Sequence, residues 1–157
     1  MAVQAKPEGY HSVTPYLICK DAASALEFYK TALGATELMR MPGPDGSIMH
    51  AEFKIGDSPV MIGEESPAWD AHSPASLGGT PVGLCIYVEN CDAVFDRAVA
   101  AGATVKKPVA DQFYGDRSGT VTDPFGHQWT ISTHKEDVPP EQMTQRFDDW
   151  MAKQSIA

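Results

Sequence analysis

The stretch MHAEFKI places two titratable side chains, His50 and Glu52, in a segment where apolar and polar residues alternate. In a β-strand such neighbours lie on the same face, so an imidazole and a carboxylate would stand side by side. That pair can act as a general base with its orienting partner, or contribute two ligands to a metal ion. A solvated strand face is the alternative. His50 and Glu52 are therefore the candidate catalytic residues.

A second stretch, VTDPFGHQWTIST, carries a run of side chains suited to binding. Its Asp-Pro and Gly residues are typical of a turn between two strands, since proline fixes φ and glycine accepts a left-handed backbone. After the turn, Gln128, Thr130 and Ser132 alternate with Trp129 and Ile131. This is the period of a half-buried strand. We expect the polar residues to line a ligand site and Trp129 to enter the core.

The composition limits the classes of function. With 157 residues and 43% hydrophobic content, the chain can fill the core of a globular protein. Its net charge of −9, without any cluster of Lys and Arg, argues against a nucleic-acid surface. No apolar run is long enough to span a membrane, and the N-terminus lacks the apolar core of a secretory signal. We therefore expect a cytoplasmic protein.

The three cysteines give no framework for disulfides or zinc. Cys19, Cys85 and Cys91 are an odd number and contain no CxxC pair. A redox role is conceivable for Cys85, but a small buried hydrophobic residue is the more common state of a free cysteine.

An internal repeat organises the elements that must position these side chains. The segments SALEFYKTALGAT and DAVFDRAVAAGAT match at a constant offset of 68, and the apolar residues of each recur with the period of a helix. Gly34 and Gly102 are predicted to cap the two helices. Each helix follows an apolar strand and precedes a linking strand and a hairpin, so the order β-α-β-β-β occurs twice. The hairpins are predicted to turn at Gly56-Asp57 and Gly126-His127.

Four segments follow from this repeat. We predict a first module with its N-terminal segment, a linker rich in Pro, Gly and Ser, a second module, and a C-terminal amphipathic helix. The helix repeats Met143, Phe147, Trp150 and Met151 on one side. That stripe packs on the chain itself or docks on a second subunit. The segments are residues 1–65, 66–81, 82–135 and 136–157.

The paired motifs ALEFYKTALGA, HAEFKIGDSPVMIGE and YGDRSGTVTDPFGHQWTI resemble the vicinal oxygen chelate superfamily of glyoxalase, bleomycin-resistance and extradiol-dioxygenase-like proteins. The last motif is similar to the PhnB-like branch in particular. The resemblance implies an α+β fold in which two tandem β-α-β-β-β modules form a curved mixed sheet around a shared cleft. It also implies a homodimer, since members commonly dimerise.

Members of this superfamily often bind a divalent metal through one residue on the first and last strand of each module. Counting from the helix signature and from the turn glycines, these positions fall on Thr14, Val60, Gly83 and Thr130. None is a His, Glu, Asp or Cys, the usual ligand types. We therefore expect no cofactor at the usual position, and a divalent metal only through a non-standard site such as His50 and Glu52.

Strand alternation predicts an apolar and aromatic cleft with several hydroxyl groups, which suits a small organic molecule. Packing of the seam between the modules is the alternative for these residues. For Arg117, the alternatives are a bidentate contact with an anionic ligand group and an ion pair with Asp111, Asp116 or Asp123. The predicted ligand-binding residues are Thr14, Tyr16, Val60, Ile62, Cys85, Tyr87, Arg117, Gln128, Thr130 and Ser132.

Three functions are compatible with these features. The first is a metal-independent protein that binds a small organic molecule in the groove between the modules. The second is a glyoxalase-like lyase, isomerase or dioxygenase with a rearranged metal site. The third is a dimeric interaction protein with a vestigial groove. The sequence does not name the ligand.

Overall fold

The structure is a computed structural model that describes residues 3–154. Residues 1–2 of the predicted first segment and residues 155–157 of the predicted last segment lie outside the described residues. The fold class predicted from the repeat is confirmed, because two tandem β-α-β-β-β modules are followed by a C-terminal helix. Each module keeps its own four-stranded mixed sheet.

The first module has the strand order β1-β4-β3-β2, with β1 parallel to β4 and the other pairs antiparallel. Its helix begins where the Asp21 carboxylate accepts a hydrogen bond from the Ser24 backbone N–H at 2.9 Å. It ends at Gly34, whose φ of 70° is the left-handed conformation that glycine adopts without strain. The elements are β1 Tyr16–Cys19, α1 Ala22–Leu33, β2 Thr36–Pro42, β3 Ile48–Ile55 and β4 Ser58–Glu64.

The connection between the modules contains a 3-10 turn, Pro67–Trp69, and a short helix, α2, Pro74–Leu77. The second module repeats the first with the strand order β5-β8-β7-β6. The chain then continues into α4, which begins at the second residue of the Pro139-Pro140 pair. The remaining elements are β5 Gly83–Tyr87, α3 Cys91–Ala100, β6 Thr104–Asp111, β7 Asp116–Thr122, β8 Gln128–His134 and α4 Pro140–Gln154.

The two modules meet through α1, α3 and the turn between β7 and β8. Tyr29 of α1 is fully buried, stacks on Phe53 at 5.1 Å between ring centroids, and donates a hydrogen bond to Asp123 at 2.8 Å. Trp129 lies against the same tyrosine and donates to the same carboxylate oxygen at 2.9 Å. Burial and the nearby Asp123 carboxylate raise the pKa of Tyr29 well above its usual value. One buried carboxylate therefore joins the cores of the two modules.

The apolar side of α4 is only partly covered. Phe147 and Trp150 contact Phe113, which lies between β6 and β7, and both remain 40–45% exposed. The helix is also held by the ion pair between Arg146 and Glu136. Within residues 3–154, none of the helices has the length and apolar character needed to cross a membrane.

Candidate functional site

The strands of the first module present one face to α1 and an open face on the other side. Phe53, Val60 and Ile62 lie on the face that packs on α1 and are buried in the core. Between them, Met61 is paired with Glu52 on β3 and with Tyr16 on β1, so these three residues share the open face. Val60 and Ile62 therefore do not lie on the open face with the other predicted ligand-binding residues.

The physical reason is a difference in turn length between the two hairpins. Strands β3 and β4 are joined by Gly56-Asp57 alone, whereas residues 123–127 join β7 to β8. Counting forward from the turn glycine therefore reaches opposite faces in the two modules. The pairs Leu17–Ile62 and Ile86–Ile131 occupy matching places, which makes Met61 the counterpart of Thr130.

On the open face of the first sheet, the predicted pair of His50 and Glu52 lies within a chain of hydrogen bonds. Nε2 of His50 is 3.2 Å from a carboxylate oxygen of Glu52, and Nδ1 is 3.0 Å from the hydroxyl of Tyr16. The other carboxylate oxygen accepts a hydrogen bond from Tyr10, in the segment before β1. This hydrogen bond, and a lesser one from His50, lower the pKa of Glu52. The same contact raises the pKa of Tyr10 to about 12.

On the open face of the second sheet lie the polar residues predicted from β5 and β8, which contact one another or neighbouring strands. The hydroxyls of Thr130 and Thr120 are 3.0 Å apart, and Cys85 Sγ is 3.6 Å from the Ser132 hydroxyl. Gln128 accepts a hydrogen bond from Lys106 at the sheet edge. These contacts explain how hydroxyl groups are accommodated on a half-buried strand.

A second carboxylate network on this face was missed in the sequence. The buried Asp116 accepts hydrogen bonds from Tyr87 at 2.9 Å and from His134 at 2.8 Å. The first contact raises the pKa of Tyr87 to about 12. Hydrogen bonds to Asp116 and Asp137 raise the pKa of His134. From the sequence, Asp116 was expected only as one possible ion-pair partner of Arg117.

Two further expectations concern Arg117 and His127. Arg117 makes the expected ion pair with Asp111, but its bidentate partner is Asp92 at the start of α3, with both contacts at 2.7 Å. His127, predicted to lie at the turn of the second hairpin, is buried, and its Nε2 contacts the Ile18 carbonyl of the other module at 3.1 Å. Such packing between modules cannot be read from local sequence.

A groove with a volume of about 370 Å³ lies at the seam between the modules. Both modules contribute apolar side chains to it, and the polar side chains of His11, Asp57, Tyr87 and Cys85 are also part of its lining. Of the predicted ligand-binding residues, Val60, Cys85 and Tyr87 lie here, and the others lie outside this groove. The principal apolar lining residues are Val13, Pro15, Val60, Leu84, Ile86 and Trp129.

The residues at the metal positions do not fit a metal ion. With Met61 in place of Val60, the four positions are Thr14, Met61, Gly83 and Thr130, which supply no imidazole, carboxylate or thiolate. The hydroxyl of Thr130 is already paired with Thr120. Among residues 3–154, no group of three or more His, Cys, Asp or Glu is arranged to hold a metal ion.

Comparisons with known proteins agree with this architecture. Residues 9–131 match the family model of the Glyoxalase/Bleomycin resistance protein/Dioxygenase superfamily. An uncharacterised protein of Mycobacterium bovis is 43% identical over 141 residues, which cover 88% of this chain and 90% of that relative. TioX from Micromonospora is 27% identical, with a TM-score of 0.64 over 79% of this chain and 98% of that structure.

A more distant likeness concerns the branch indicated by the motifs. The PhnB protein of Bacillus cereus has a TM-score of 0.62 over 78% of this chain and 99% of that structure. Its identity of 17% makes this a likeness of fold. Together with the family match, these similarities confirm the resemblance that the motifs indicated.

Proposed function

Because the chain belongs to the Glyoxalase/Bleomycin resistance protein/Dioxygenase superfamily, we propose that it binds a small organic molecule in the groove between its modules. The observation that carries this proposal is the apolar groove itself, whose volume of about 370 Å³ falls within the range of ligand pockets. The residues at the usual family metal position lack ligand groups, so we expect binding in the groove to be independent of a metal ion.

The lining indicates the class of ligand. Leu84, Ile86, Val60 and Trp129 present an apolar floor, which favours an uncharged ligand with aromatic or aliphatic bulk. The hydroxyl of Tyr87 is held by Asp116, so its ring is presented in a fixed orientation. Cys85 is exposed at the same edge and offers a weak polar contact. An aromatic compound with few polar groups satisfies these features best.

Blocking the mouth of the groove tests this proposal. Val13 lines the groove and is 84% exposed, so Val13→Trp can obstruct the site without disturbing the core. We expect aromatic compounds that raise the melting temperature of the wild-type protein to lose at least about tenfold in affinity, or roughly 1.4 kcal/mol. Calorimetric titration of the best compound, with and without a chelator, measures this.

The matched control is Val105→Trp, which adds the same side chain on β6 at the far edge of the second sheet. That variant is expected to bind as the wild type does. Equal affinity of the wild type and Val13→Trp would contradict binding in the groove, and loss of binding on chelation would contradict metal independence.

We also propose that the chain forms a homodimer through α4. Phe147 and Trp150 expose apolar surface on one side of this helix, although they already contact Phe113. Large aromatic side chains of this kind are frequent at subunit interfaces. The double variant Phe147→Ser/Trp150→Ser is expected to convert a dimer into a monomer in sedimentation equilibrium. Leu38→Ser/Met41→Ser, which removes exposed apolar residues from β2, is the control. A monomeric wild type would refute the proposal.

A further inference from the structure

The open face of the first sheet carries a carboxylate, an imidazole and a phenol in hydrogen-bonded sequence. Glu52 contacts His50 at 3.2 Å, and His50 contacts Tyr16 at 3.0 Å through its other ring nitrogen. His50 and Glu52 are mostly buried, with about a fifth of each side chain exposed, whereas Tyr16 is half exposed. The chain of contacts therefore leads from a sheltered carboxylate to a half-exposed tyrosine.

The chemistry of the three groups fixes the direction of the protons. An ionised carboxylate only accepts hydrogen bonds, so Nε2 of His50 must carry a proton and donate a hydrogen bond to Glu52. Nδ1 then has a free lone pair and accepts a hydrogen bond from the Tyr16 hydroxyl. The hydrogen bond from Tyr10 favours the ionised form of Glu52. Transfer of the Tyr16 proton to Nδ1 leaves an imidazolium beside an ionised carboxylate.

Gly63 on β4, paired with Ile18 on β1, leaves space for the phenol of Tyr16 because it has no side chain. A Cβ atom at this position would come within 3.1 Å of the Tyr16 hydroxyl and 3.0 Å of the Met49 carbonyl. The absence of a side chain therefore lets the phenol lie down on the sheet and reach His50. This is a close approach of the kind for which glycine is needed.

A cavity of about 540 Å³ adjoins Tyr16 and is separate from the groove between the modules. Trp69 of the inter-module connection forms part of its wall. Asp45, Glu64 and Glu65 are also part of the lining, which contains neither Lys nor Arg. This arrangement disfavours anions and suits a neutral or positively charged small molecule.

We propose that Tyr16 is a catalytic residue at the end of a metal-independent Tyr16–His50–Glu52 proton relay, acting on neutral or cationic small molecules in this second cavity. His50 is the base that takes the phenolic proton, and Glu52 and Tyr10 are positioning residues. The roles correspond to those of an activated hydroxyl, its base and the group that orients the base. Returning the proton from His50 to Tyr16 restores the resting state.

Aryl sulfonyl fluorides test the relay, because they react with activated phenols. The Tyr16 oxygen attacks sulfur, the sulfur–fluorine bond breaks, fluoride leaves, and the phenolic proton passes to His50 Nδ1. The probes are neutral benzenesulfonyl fluoride, cationic aminoethylbenzenesulfonyl fluoride and anionic fluorosulfonylbenzoate. Peptide mapping by mass spectrometry identifies the labelled residue, and the time course gives the rate. We expect Tyr16 to be labelled first, and by the anionic probe most slowly.

Substitutions separate the relay from simple exposure. Glu52→Gln and His50→Gln are expected to slow Tyr16 labelling by at least about tenfold. Loss of a general base typically slows a reaction by about 10²–10⁴-fold, so tenfold is a conservative threshold. Gly63→Ala is expected to slow it as well, because the added methyl group displaces the hydroxyl. Tyr114→Phe, at a partly exposed tyrosine outside the relay, should leave the rate unchanged.

Circular dichroism of each variant shows whether the fold is kept. If His50→Gln does not fold, Glu52→Gln still tests the relay, because it preserves the shape of the side chain. Labelling of Tyr16 no faster than that of Tyr114, or a rate independent of Glu52, would overturn the proposal. Preference for the anionic probe would overturn the assigned class of substrate. None of these results depends on whether the groove between the modules binds a ligand.

Discussion

Replacing Asp123 with alanine is expected to lower the free energy of unfolding by roughly 3–5 kcal/mol. Its carboxylate accepts hydrogen bonds from the side chains of Tyr29 and Trp129 and from the backbone N–H groups of Phe125 and His127. Each buried donor that loses its acceptor costs about 1–3 kcal/mol, and the losses overlap because the groups share one site. Urea denaturation followed by circular dichroism measures the change.

The control for this substitution is Asp21→Ala, which removes a carboxylate at the start of α1. That change is expected to cost about 1 kcal/mol, the usual value of a helix cap. A double-mutant cycle between Asp123→Ala and Tyr29→Phe isolates the contact between the modules. A loss below about 1 kcal/mol for Asp123→Ala would show that the carboxylate does not hold the modules together.

Trp129→Ala is expected to destabilise the protein by about 3–5 kcal/mol, the typical cost of truncating a buried aromatic side chain. The indole is 2% exposed, packs on Tyr29 with 5.4 Å between ring centroids, and donates a hydrogen bond to Asp123. Its removal leaves a cavity at the junction of the two cores. The midpoint of urea unfolding, measured with an unchanged slope, reports the loss.

The adjacent residue provides the matched control. Thr130 lies on the face of β8 opposite to Trp129. Thr130→Val keeps the shape of the side chain and removes one hydroxyl, whose partner is the Thr120 hydroxyl at 3.0 Å on the neighbouring strand β7. We expect a cost of about 0.5–1.5 kcal/mol, the net contribution of one neutral hydrogen bond. The reverse order, with Trp129→Ala nearly neutral and Thr130→Val unfolding the protein, would contradict the assignment of faces on β8.

The repeat was readable from the sequence because it depends on local rules. The helix periods, the capping residue Gly34 and the turn at Gly56-Asp57 each act within a few residues, and the structure has them where they were predicted. The assignment of Tyr16 to the open face likewise followed from alternation along β1. Local chemistry thus sufficed for the elements and for most of their faces.

Features that depend on contacts between distant parts of the chain, or on a comparison of the two hairpin turns, were not readable. His127 is buried because it meets the Ile18 carbonyl, and the direction of Val60 depends on a turn shorter than its counterpart. Tyr10 and Glu52 are 42 positions apart in the chain, so the residues near Glu52 do not predict this hydrogen bond. Likewise, the groove arises from how the modules dock, and contacts far apart in the sequence, such as Tyr29 with Asp123, contribute to that docking.

The contact between Tyr29 and Asp123 spans 94 positions, and this separation matters while the chain is being made. All four strands of the first module leave the ribosome before the turn that carries Asp123 is synthesised. Synthesis from Glu64, the end of β4, to Asp123 covers 123 − 64 = 59 residues, which takes about 3–12 s at roughly 5–20 residues per second. During it the Tyr29 hydroxyl lacks its carboxylate, and the surface of the first module that will meet Trp129 faces water or a chaperone. The carboxylate that fastens the finished protein is thus one of the last parts to arrive.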